Sequence, residues 1–487
     1  MTTFSSDNRE MGLFRSSLKC HYPSSSSSVA APMKKFIHLS IFAVVIYILV
    51  PFSRLRSLER FYAYDFHTPT QLDHIVFGIG SSKSTWPSRR DYAKLWWDPH
   101  KMRGCVFVEA PLRKNATDSH LLPPLCVSED TSRFKYTWRG GHRYAIRIAR
   151  TVLETVRLFN SSSDIRWYVF GDDDTIFIPN NLAKTLSKYD HTLWYYIGSN
   201  SEIYGQNSFF GFNMAFGGGG FVLSSSLANV VAKVLDSCIE RYPHLYNSDG
   251  RIYSCLAELG VGLSHEPGFH QLDVRGNALG LLMSHPIRPL VSLHHMAHMD
   301  PIFPNSTTVA AIRHLFSAVA VDSARILQLS VCYDRRFSWT ISVSWGYAVQ
   351  IHGQYMLLPD VLSAQETFKP WKPNQDASSR LYNFNTREIH PDPCQRPATY
   401  YMENVSFTQY GSIQSVYKKT YENCTYEPNS SPRKFDEIRV FSEKSDPNIR
   451  QLKAPRRQCC DILHGDGKVM EIGIRECNEN ELIYMHP

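Results

Sequence analysis

The 487-residue sequence lacks several features that would define its class. It has no long run of basic residues, no Cys-x-x-Cys pair among its 11 cysteines and no evident internal repeat. With a formal net charge of only +7, the first absence argues against nucleic acid as a partner. The second argues against zinc at the usual ligand spacing. Apolar residues make up 43% of the chain, enough for a large packed core.

Only one long apolar run is present, FIHLSIFAVVIYILVPF at residues 36–52, and it contains no Asp, Glu, Lys or Arg. Its length is at the short end for a membrane-spanning helix. A cleaved signal peptide is the alternative, but the polar segment before the run is long and no small-x-small cleavage site follows. The sequence therefore predicts a cytoplasmic tail at 1–35, a transmembrane signal anchor at 36–52 and a stem at 53–73.

Cysteines and glycosylation sequons indicate the orientation of this anchor. All cysteines except Cys20 follow it, as do six Asn-x-Ser/Thr sequons at Asn115, Asn160, Asn305, Asn404, Asn423 and Asn429. Both features suit an oxidising, glycosylating lumen. A short apolar span favours the thinner early secretory membranes. We therefore expect a single-pass type II protein of the Golgi membrane with a luminal body.

Residues 74–324 alternate between strand-like and helix-like patterns. The segments LDHIVFGIGSS, RRDYAKLWW and CVFVEAP form a β-α-β opening. Further strands are predicted at 167–170, 194–198 and 219–223, with helices near 181–189 and 225–242. This alternation predicts an α/β domain with helices on the faces of a sheet, whose ligands collect at the carboxyl ends of the strands.

Residues 325–487 have a different pattern. From Phe337 to Ile351, large apolar side chains occupy every odd position, which is the two-residue period of one or two half-buried strands. Six of the cysteines also fall in this last third. We therefore predict a second, β-rich, disulfide-containing domain that packs on the first.

Three consecutive carboxylates, Asp172, Asp173 and Asp174, follow an apolar strand in WYVFGDDDTIFIP. Two unit charges about 4 Å apart repel by roughly 4 kcal/mol at an effective dielectric constant near 20, so solvent, an ion-pair network or a cation must offset them. Oxygen ligands at a strand end suit Mg²⁺ or Mn²⁺. A haloacid-dehalogenase-type phosphatase also has carboxylates after a strand, but it needs Asp-x-Asp followed by x-Thr or x-Val. Here Asp174 is followed by Thr175 and Ile176, and Gly171 interrupts the strand, so this alternative is disfavoured.

Four ordered segments between residues 75 and 300 resemble one family. FGDDDTIFI, FGGGGFVLS, SDGRIYSCLAELGVGLSHEPGFH and IVFGIGSSKSTWPSRRDY are similar to motifs of the Fringe-like, family 31 group of inverting glycosyltransferases, and to plant Fringe-related proteins with a domain of unknown function. The resemblance implies a GT-A fold for residues 74–324, a UDP-sugar donor and Mn²⁺. The β-rich 325–487 segment lies outside it.

The resemblance also implies roles for single residues. Asp174 would bind the metal, and Asp172 and Asp173 would contact the donor. The nucleotide-binding positions would be Ser81, Ser82 and Arg89, and the backbone at Gly218 and Gly219 would approach the sugar or acceptor. Arg89 could equally be an exposed charge at a helix start, and the glycines could form a tight turn before a strand.

The chain departs from the family pattern at two places. The family's Phe-His-x-His is FHQL here, so the metal's histidine must be sought elsewhere: His270 first, then His294, with His295 and His298 nearby. Asp249 alone matches the family's acidic pair and is the candidate general base. A mere helix cap is its alternative role, in which case the base would be Glu258, Glu266 or a histidine.

These observations predict a metal-dependent inverting glycosyltransferase. It would move a hexose or N-acetylhexosamine from a UDP-sugar to a glycan, glycoprotein or polysaccharide, through a β1,3 linkage if the family pattern transfers. The alternative is a non-catalytic luminal protein that binds glycans or acts as a scaffold on the same fold.

Overall fold

The computed structural model describes residues 68–112, 120–372, 381–420, 423–465 and 467–485. Residues Pro69–Pro487 form one compact unit. The predicted tail, anchor and most of the stem lie outside the described residues. Within the described residues, no helix is both long and apolar enough to cross a bilayer.

The first half of the compact unit alternates strands and helices. Its elements are β1 (Ile75–Gly80), α1 (Trp86–Trp96), β2 (Arg103–Val108), β3 (Leu125–Val127), α2 (Tyr144–Phe159), β4 (Trp167–Asp172), β5 (Ile176–Phe177), α3 (Pro179–Leu186), β6 (Tyr196–Gly198), α4 (Tyr204–Phe210), β7 (Phe221–Ser224), α5 (Ser225–Arg241), α6 (Ser248–Glu258), β8 (Leu263–His265), β9 (Phe269–His270), β10 (Val274–Gly276), α7 (Leu279–Met283), β11 (Ser292–Leu293) and α8 (Thr308–Asp322). The expected α/β alternation is confirmed.

Seven of these strands form one sheet in the order β3-β2-β1-β4-β7-β6-β8. Its strands are parallel except β7, which is antiparallel to β4 and β6. The carboxyl ends of β1, β4, β6 and β8 therefore meet at one edge, and β7 begins there. Helix α2 covers one face because a continuous stripe of it is buried, namely Ala145, Ile146, Ala149, Val152, Leu153 and Val156.

A small second sheet lies next to this edge. Strand β11 pairs antiparallel with β5, with Leu293 opposite Ile176, and parallel with β9, with Leu293 beside His270. Short strands of this kind carry little sequence signal, since two residues are too few to show a period. Their pairing nevertheless brings together residues that are more than a hundred positions apart.

The second half of the compact unit is mainly β. Its elements are β12 (Leu329–Asp334), β13 (Trp339–Ser344), β14 (Ala348–His352), α9 (Leu358–Leu362), β15 (Ala364–Gln365), β16 (Phe368–Pro370), β17 (Thr386–Arg387), β18 (Ala398–Phe407), β19 (Ile413–Lys419), β20 (Glu437–Ser442), α10 (Ile449–Lys453), β21 (Cys459–His464) and β22 (Val469–Arg475). The predicted β-rich C-terminal region is confirmed.

Eight of these strands form a sheet in the order β12-β13-β14-β18-β19-β20-β22-β21. A disulfide between Cys332 and Cys460 joins its first and last strands, so the sheet curves until its two edges meet. The other disulfides are Cys105–Cys126, Cys238–Cys255, Cys394–Cys424 and Cys459–Cys477. All ten cysteines of the described residues are paired.

The prediction of half-buried strands between Phe337 and Ile351 needs a correction. Strands β13 and β14 are there, but every residue of both is buried. Polar positions such as Thr340 and Ser344 are buried as well. One face of each strand lies inside the curved sheet, and the other face packs against neighbouring parts of the protein. One apolar cluster extends from Phe77 and Val169 in the seven-stranded sheet to Val343 and Tyr417 in the eight-stranded sheet. The domain boundary at residue 324 stays a prediction.

Candidate active site

The aspartate triplet lies where β4 ends. Asp172 is opposite Gly80 in the pairing of β4 with β1, so the loop after β1 lies beside the triplet. Thr175 shapes the turn: its hydroxyl accepts from the Asp172 amide at 2.8 Å and donates to the Gly218 carbonyl at 2.7 Å. The turn is thereby tied to the glycine segment that precedes β7.

The Asp173 carboxylate is engaged with the loop after β1. Ser81 Oγ and Thr85 Oγ1 donate to Asp173 Oδ2 at 2.7 and 2.6 Å, and Arg89 Nη1 donates to Oδ1 at 2.8 Å. Asp173 is 5% exposed. Asp173 uses three of its about four acceptor positions in these hydrogen bonds, so it anchors the loop. Its side chain does not face open space, where contact with the sugar donor was expected.

The sequence prediction missed Thr85, and its assignment of Ser82 to the nucleotide stays a prediction. Ser82 Oγ accepts from the Thr85 amide at 3.0 Å and lies 2.8 Å from Thr85 Oγ1, so it shapes the start of α1. The sequence signal for Thr85 was its position one helical turn before Arg89, since residues four apart lie on the same side of a helix.

His294 is the histidine that the structure brings to the triplet. Because Leu293 pairs with Ile176, His294 comes next to the Asp174–Thr175 turn. His294 Nε2 lies 3.2 Å from Asp174 Oδ1 and 3.9 Å from Asp172 Oδ2. One ligand atom from each of these three residues falls within 4.8 Å of the others. Two carboxylates and one imidazole thus converge on one point.

The electrostatics of this cluster couple Asp174 to two cationic side chains, His294 and Arg89. Both oxygens of Asp174 are buried without a well-formed hydrogen bond from the described residues, although Arg89 Nη2 and His294 Nε2 each lie 3.2 Å away. Burial opposes protonation of His294, but Asp174 and Asp172 outweigh it and raise the His294 pKa to about 9. Burial likewise opposes ionisation of Asp174, yet His294 and Arg89 hold its pKa well below the usual range.

These residues fit a hard divalent cation such as Mn²⁺ or Mg²⁺. Carboxylate oxygens and an imidazole are suitable ligands, and the two Asp174 oxygens have unused acceptor capacity. Asp172 belongs to the same cluster, whereas the sequence analysis assigned it to the donor. Its side chain is 41% exposed, so the cluster is open to solvent on that side.

The glycines before β7 make room for this cluster. A Cβ at Gly218 would lie 2.1 Å from His294 Cε1, too close for any side chain. The Gly219 amide donates to Gln271 Oε1 at 2.7 Å. These two positions are therefore required for packing of His294 and Gln271, and their expected approach to a sugar stays a prediction.

Asp249 reaches the same edge from the first turn of α6. Its carboxylate accepts from Ser248 Oγ at 3.0 Å and lies against Gly217, where a Cβ would be only 2.5 Å from Asp249 Oδ1. Burial raises the pKa of Asp249. The helix cap is Asn247, whose side chain accepts from the Gly250 amide at 3.0 Å. The alternative role of Asp249 as the cap is therefore not supported.

The other candidate bases have partners of their own. Glu258 pairs with Arg241, and Glu266 pairs with Lys188 and Tyr189. A small cavity is lined by both Asp172 and Asp249, which places the candidate base next to the cation cluster.

The structure does not bring His270 to the aspartates. His270 pairs with Leu293, one residue before His294, and side chains alternate along a strand, so the two histidines face opposite sides. His270 Nδ1 lies 3.3 Å from Glu202 Oε1, and its Nε2 lies 2.9 Å from His285 Nδ1. It lines a separate cavity of about 530 Å³. His295 also turns away, with Nδ1 3.2 Å from Asp273 Oδ1.

The described residues form an α/β fold with a cluster of Asp172, Asp174 and His294, three suitable metal ligands, at the carboxyl edge of its sheet. The family described as "Protein of unknown function, DUF604" matches residues 206–460, more than half of the chain, and the chain belongs to that family.

Two curated relatives are similar over a shorter stretch. The chain is 32% identical over 146 residues to "Beta-1,3-glucosyltransferase" of Mus musculus and 31% identical over 148 residues to the protein of that name of Homo sapiens. Each match covers 30% of this chain and only 28% of the relative.

Among solved structures, galactosyltransferase LgtC in complex with donor and acceptor sugar analogs aligns with a TM-score of 0.32 and 14% identity. The alignment covers 50% of this chain and 94% of that one. Nothing is concluded from so weak a likeness.

Proposed function

We propose that this chain is a metal-dependent, inverting glycosyltransferase. It would transfer a hexose or N-acetylhexosamine from a UDP-sugar to a glycan, glycoprotein or polysaccharide, with a β1,3 linkage as the first expectation. The observation that carries the proposal is the convergence of Asp172, Asp174 and His294 at the carboxyl edge of the sheet, with Asp249 beside them. The partial similarity to β-1,3-glucosyltransferases supports the same reaction class.

In this proposal Asp172, Asp174 and His294 hold Mn²⁺. The bound ion would supply positive charge that offsets the charge developing on the leaving diphosphate. Asp173 has a positioning role, since it binds Ser81 and Thr85 of the loop that would face the nucleotide and Arg89 in the first turn of α1.

Asp249 is the proposed general base. Its carboxylate takes the proton of the acceptor hydroxyl, whose oxygen forms the new bond to the anomeric carbon while the bond from that carbon to UDP breaks on the opposite face. Burial raises its pKa towards neutrality, which increases its affinity for that proton. The Ser248 hydroxyl donates to the carboxylate and orients it, and Gly217 packs against it.

We further propose the type II Golgi topology described above, on the basis of the apolar run and the sequons. Protease digestion of sealed microsomes tests it: the 74–487 body should be glycosylated and protected until detergent is added. Digestion without detergent would contradict a luminal body.

Calorimetric titration of UDP with and without Mn²⁺ tests the cation site. Wild type should bind UDP more tightly with Mn²⁺ than with EDTA, and Asp174→Asn should lose that difference. Asp91→Asn is the matched control, because Asp91 is an exposed carboxylate of α1 that pairs only with Lys94 in the described residues. Unchanged Mn²⁺-dependent affinity in Asp174→Asn would assign the triplet to structure. A UDP-sugar panel assayed with Mn²⁺ or EDTA then separates a transferase from a non-catalytic glycan-binding protein.

A further inference from the structure

Four aromatic side chains form a connected cluster on the surface near Asp249. The ring centroids of Trp138 and Phe209 are 6.3 Å apart, those of Phe209 and Phe210 4.7 Å, those of Phe210 and Tyr246 6.0 Å, and those of Tyr246 and Trp138 5.8 Å. We call these four residues the aromatic platform. Phe209 is 64% exposed, Trp138 41% and Tyr246 38%. Contiguous exposed aromatics of this kind mark binding surfaces.

The platform is held in place by its surroundings. The Thr137 amide donates to the Pro243 carbonyl at 2.8 Å, and Tyr136 Oη donates to the Tyr246 carbonyl at 2.9 Å, so the loops carrying Trp138 and Tyr246 are joined. The fully buried Arg251 donates to the carbonyls of Leu245 and Asn247 at 2.7 Å each. A surface built from a buried arginine and cross-loop hydrogen bonds is preorganised for a ligand.

Two chain segments connect the platform directly to the proposed base. Phe210 contacts Phe216, with ring centroids 6.0 Å apart, and Phe216 is followed by Gly217, which lies against the Asp249 carboxylate: a Cβ at Gly217 would be 2.5 Å from Asp249 Oδ1. Tyr246 immediately precedes Asn247, the cap of the helix that carries Asp249. Tyr246 also lies three positions before Asp249 in the chain, so the platform lies beside the proposed base.

We infer that the aromatic platform is the acceptor subsite and that it stacks against the pyranose rings of a carbohydrate chain. This inference rests on the proposed function. A pyranose ring has one face of C–H groups and an equatorial belt of hydroxyls, so it can cover an aromatic face while its hydroxyls stay hydrated or reach Asp249. None of the six sequons lies in the two loops or in α4, so N-glycans attached there do not cover the platform. On this inference the acceptor is a glycan chain rather than a bare peptide.

The test measures oligosaccharide binding to the full-length protein in the presence of UDP and Mn²⁺. The probes are hexasaccharides of β1,3-linked galactose, β1,4-linked xylose and β1,4-linked glucose, titrated by calorimetry and saturation-transfer NMR. Wild type should bind at least one of them, and Trp138→Ala and Phe209→Ala should each raise its dissociation constant about tenfold. Tyr410→Ala is the control, because Tyr410 is 87% exposed and lies in the turn between β18 and β19.

The outcomes separate this inference from the proposed function. UDP and Mn²⁺ binding without binding of any hexasaccharide, or equal affinity in wild type and both platform variants, overturns the acceptor subsite alone. Platform-dependent hexasaccharide binding without UDP binding overturns the transferase and keeps the carbohydrate surface. Sedimentation that shows a dimer in wild type and a monomer in Phe209→Ala would assign the platform to a second copy of the chain and also overturn the inference.

Discussion

Gly218→Ala is expected to remove the cation site through one methyl group. The added Cβ would lie 2.1 Å from His294 Cε1 and 2.5 Å from both ring nitrogens, whereas ordinary contacts begin at 3.4 Å. The ring must therefore retreat by roughly 1 Å or more. That shift lengthens the 3.2 Å contact with Asp174 and leaves its buried carboxylate with only Arg89 as a cationic neighbour.

Two terms contribute to the expected loss. Overpacking a buried site costs about 1 to 3 kcal/mol, and breaking a buried ion pair costs about 3 to 5 kcal/mol when the remaining charge stays unpaired. Because Arg89 still compensates Asp174, we expect a total of about 3 kcal/mol without metal. Wild type should also gain about 2.7 kcal/mol at a Mn²⁺ concentration of 100 Kd, and Gly218→Ala should not.

Urea unfolding with Mn²⁺ and with EDTA measures both quantities. Gly262→Ala is the matched control, since its Cβ would meet no atom within 4 Å and its backbone is not in the left-handed region. Equal stabilisation by Mn²⁺ in Gly218→Ala and wild type would refute the placement of His294 in the cation site.

Three further predictions address the proposed base, the proposed metal ion and the disulfides of the C-terminal region. Asp249→Asn should lower turnover by roughly 10²-fold or more at unchanged UDP affinity. Asn247→Ala should instead lower the free energy of unfolding by about 1 kcal/mol, because it removes the helix cap. Turnover close to wild type in Asp249→Asn would exclude Asp249 as the base. Without metal the pKa is about 9 for His294 and about 7 for Asp172, and both must be deprotonated to bind the ion. Mn²⁺ affinity should therefore rise about tenfold per pH unit between about pH 7 and 9, more steeply below pH 7, and level off above about pH 9. Calorimetry at several pH values checks this, and a flat profile contradicts it. Replacing Cys332 and Cys460 by Ala should destabilise the protein by about 1 kcal/mol more than replacing Cys394 and Cys424, because the first disulfide closes a loop of 128 residues and the second a loop of 30. Urea unfolding midpoints compare the two variants, and a larger loss of stability from the second pair would contradict the loop argument.

Most of the sheet was predictable because its strands and helices are long enough to show a period. The apolar runs before Gly80 and Asp172 and the buried stripe of α2 each indicate one element, and the structure has them. Their order in the sheet is not encoded in any local pattern. The antiparallel insertion of β7 between β4 and β6 depends on long-range pairing, which periodicity does not report.

The choice between His270 and His294 shows the same limit at the site. Both histidines follow short apolar segments, and motif spacing favoured His270. Which histidine faces Asp174 depends on the two-residue pairings of β11 with β5 and β9. A shift of one position in this register would turn the His294 side chain away from Asp174. Sequence alone offers no measure of that register.

The question raised by three adjacent carboxylates has a different answer for each of them. Asp173 accepts hydrogen bonds from Ser81, Thr85 and Arg89, so its charge is compensated within the protein and serves to fix a loop. Asp174 faces Arg89 and His294 without a well-formed hydrogen bond from the described residues, and Asp172 opens towards solvent. Only these last two have oxygens to spare, and they are the two that share a point with His294. If the triplet were a purely structural ion-pair network, the most buried carboxylate would be the one best supplied with donors. Here Asp174 is at least as buried as Asp173 and has fewer, which is the arrangement expected of a carboxylate whose main partner is a cation.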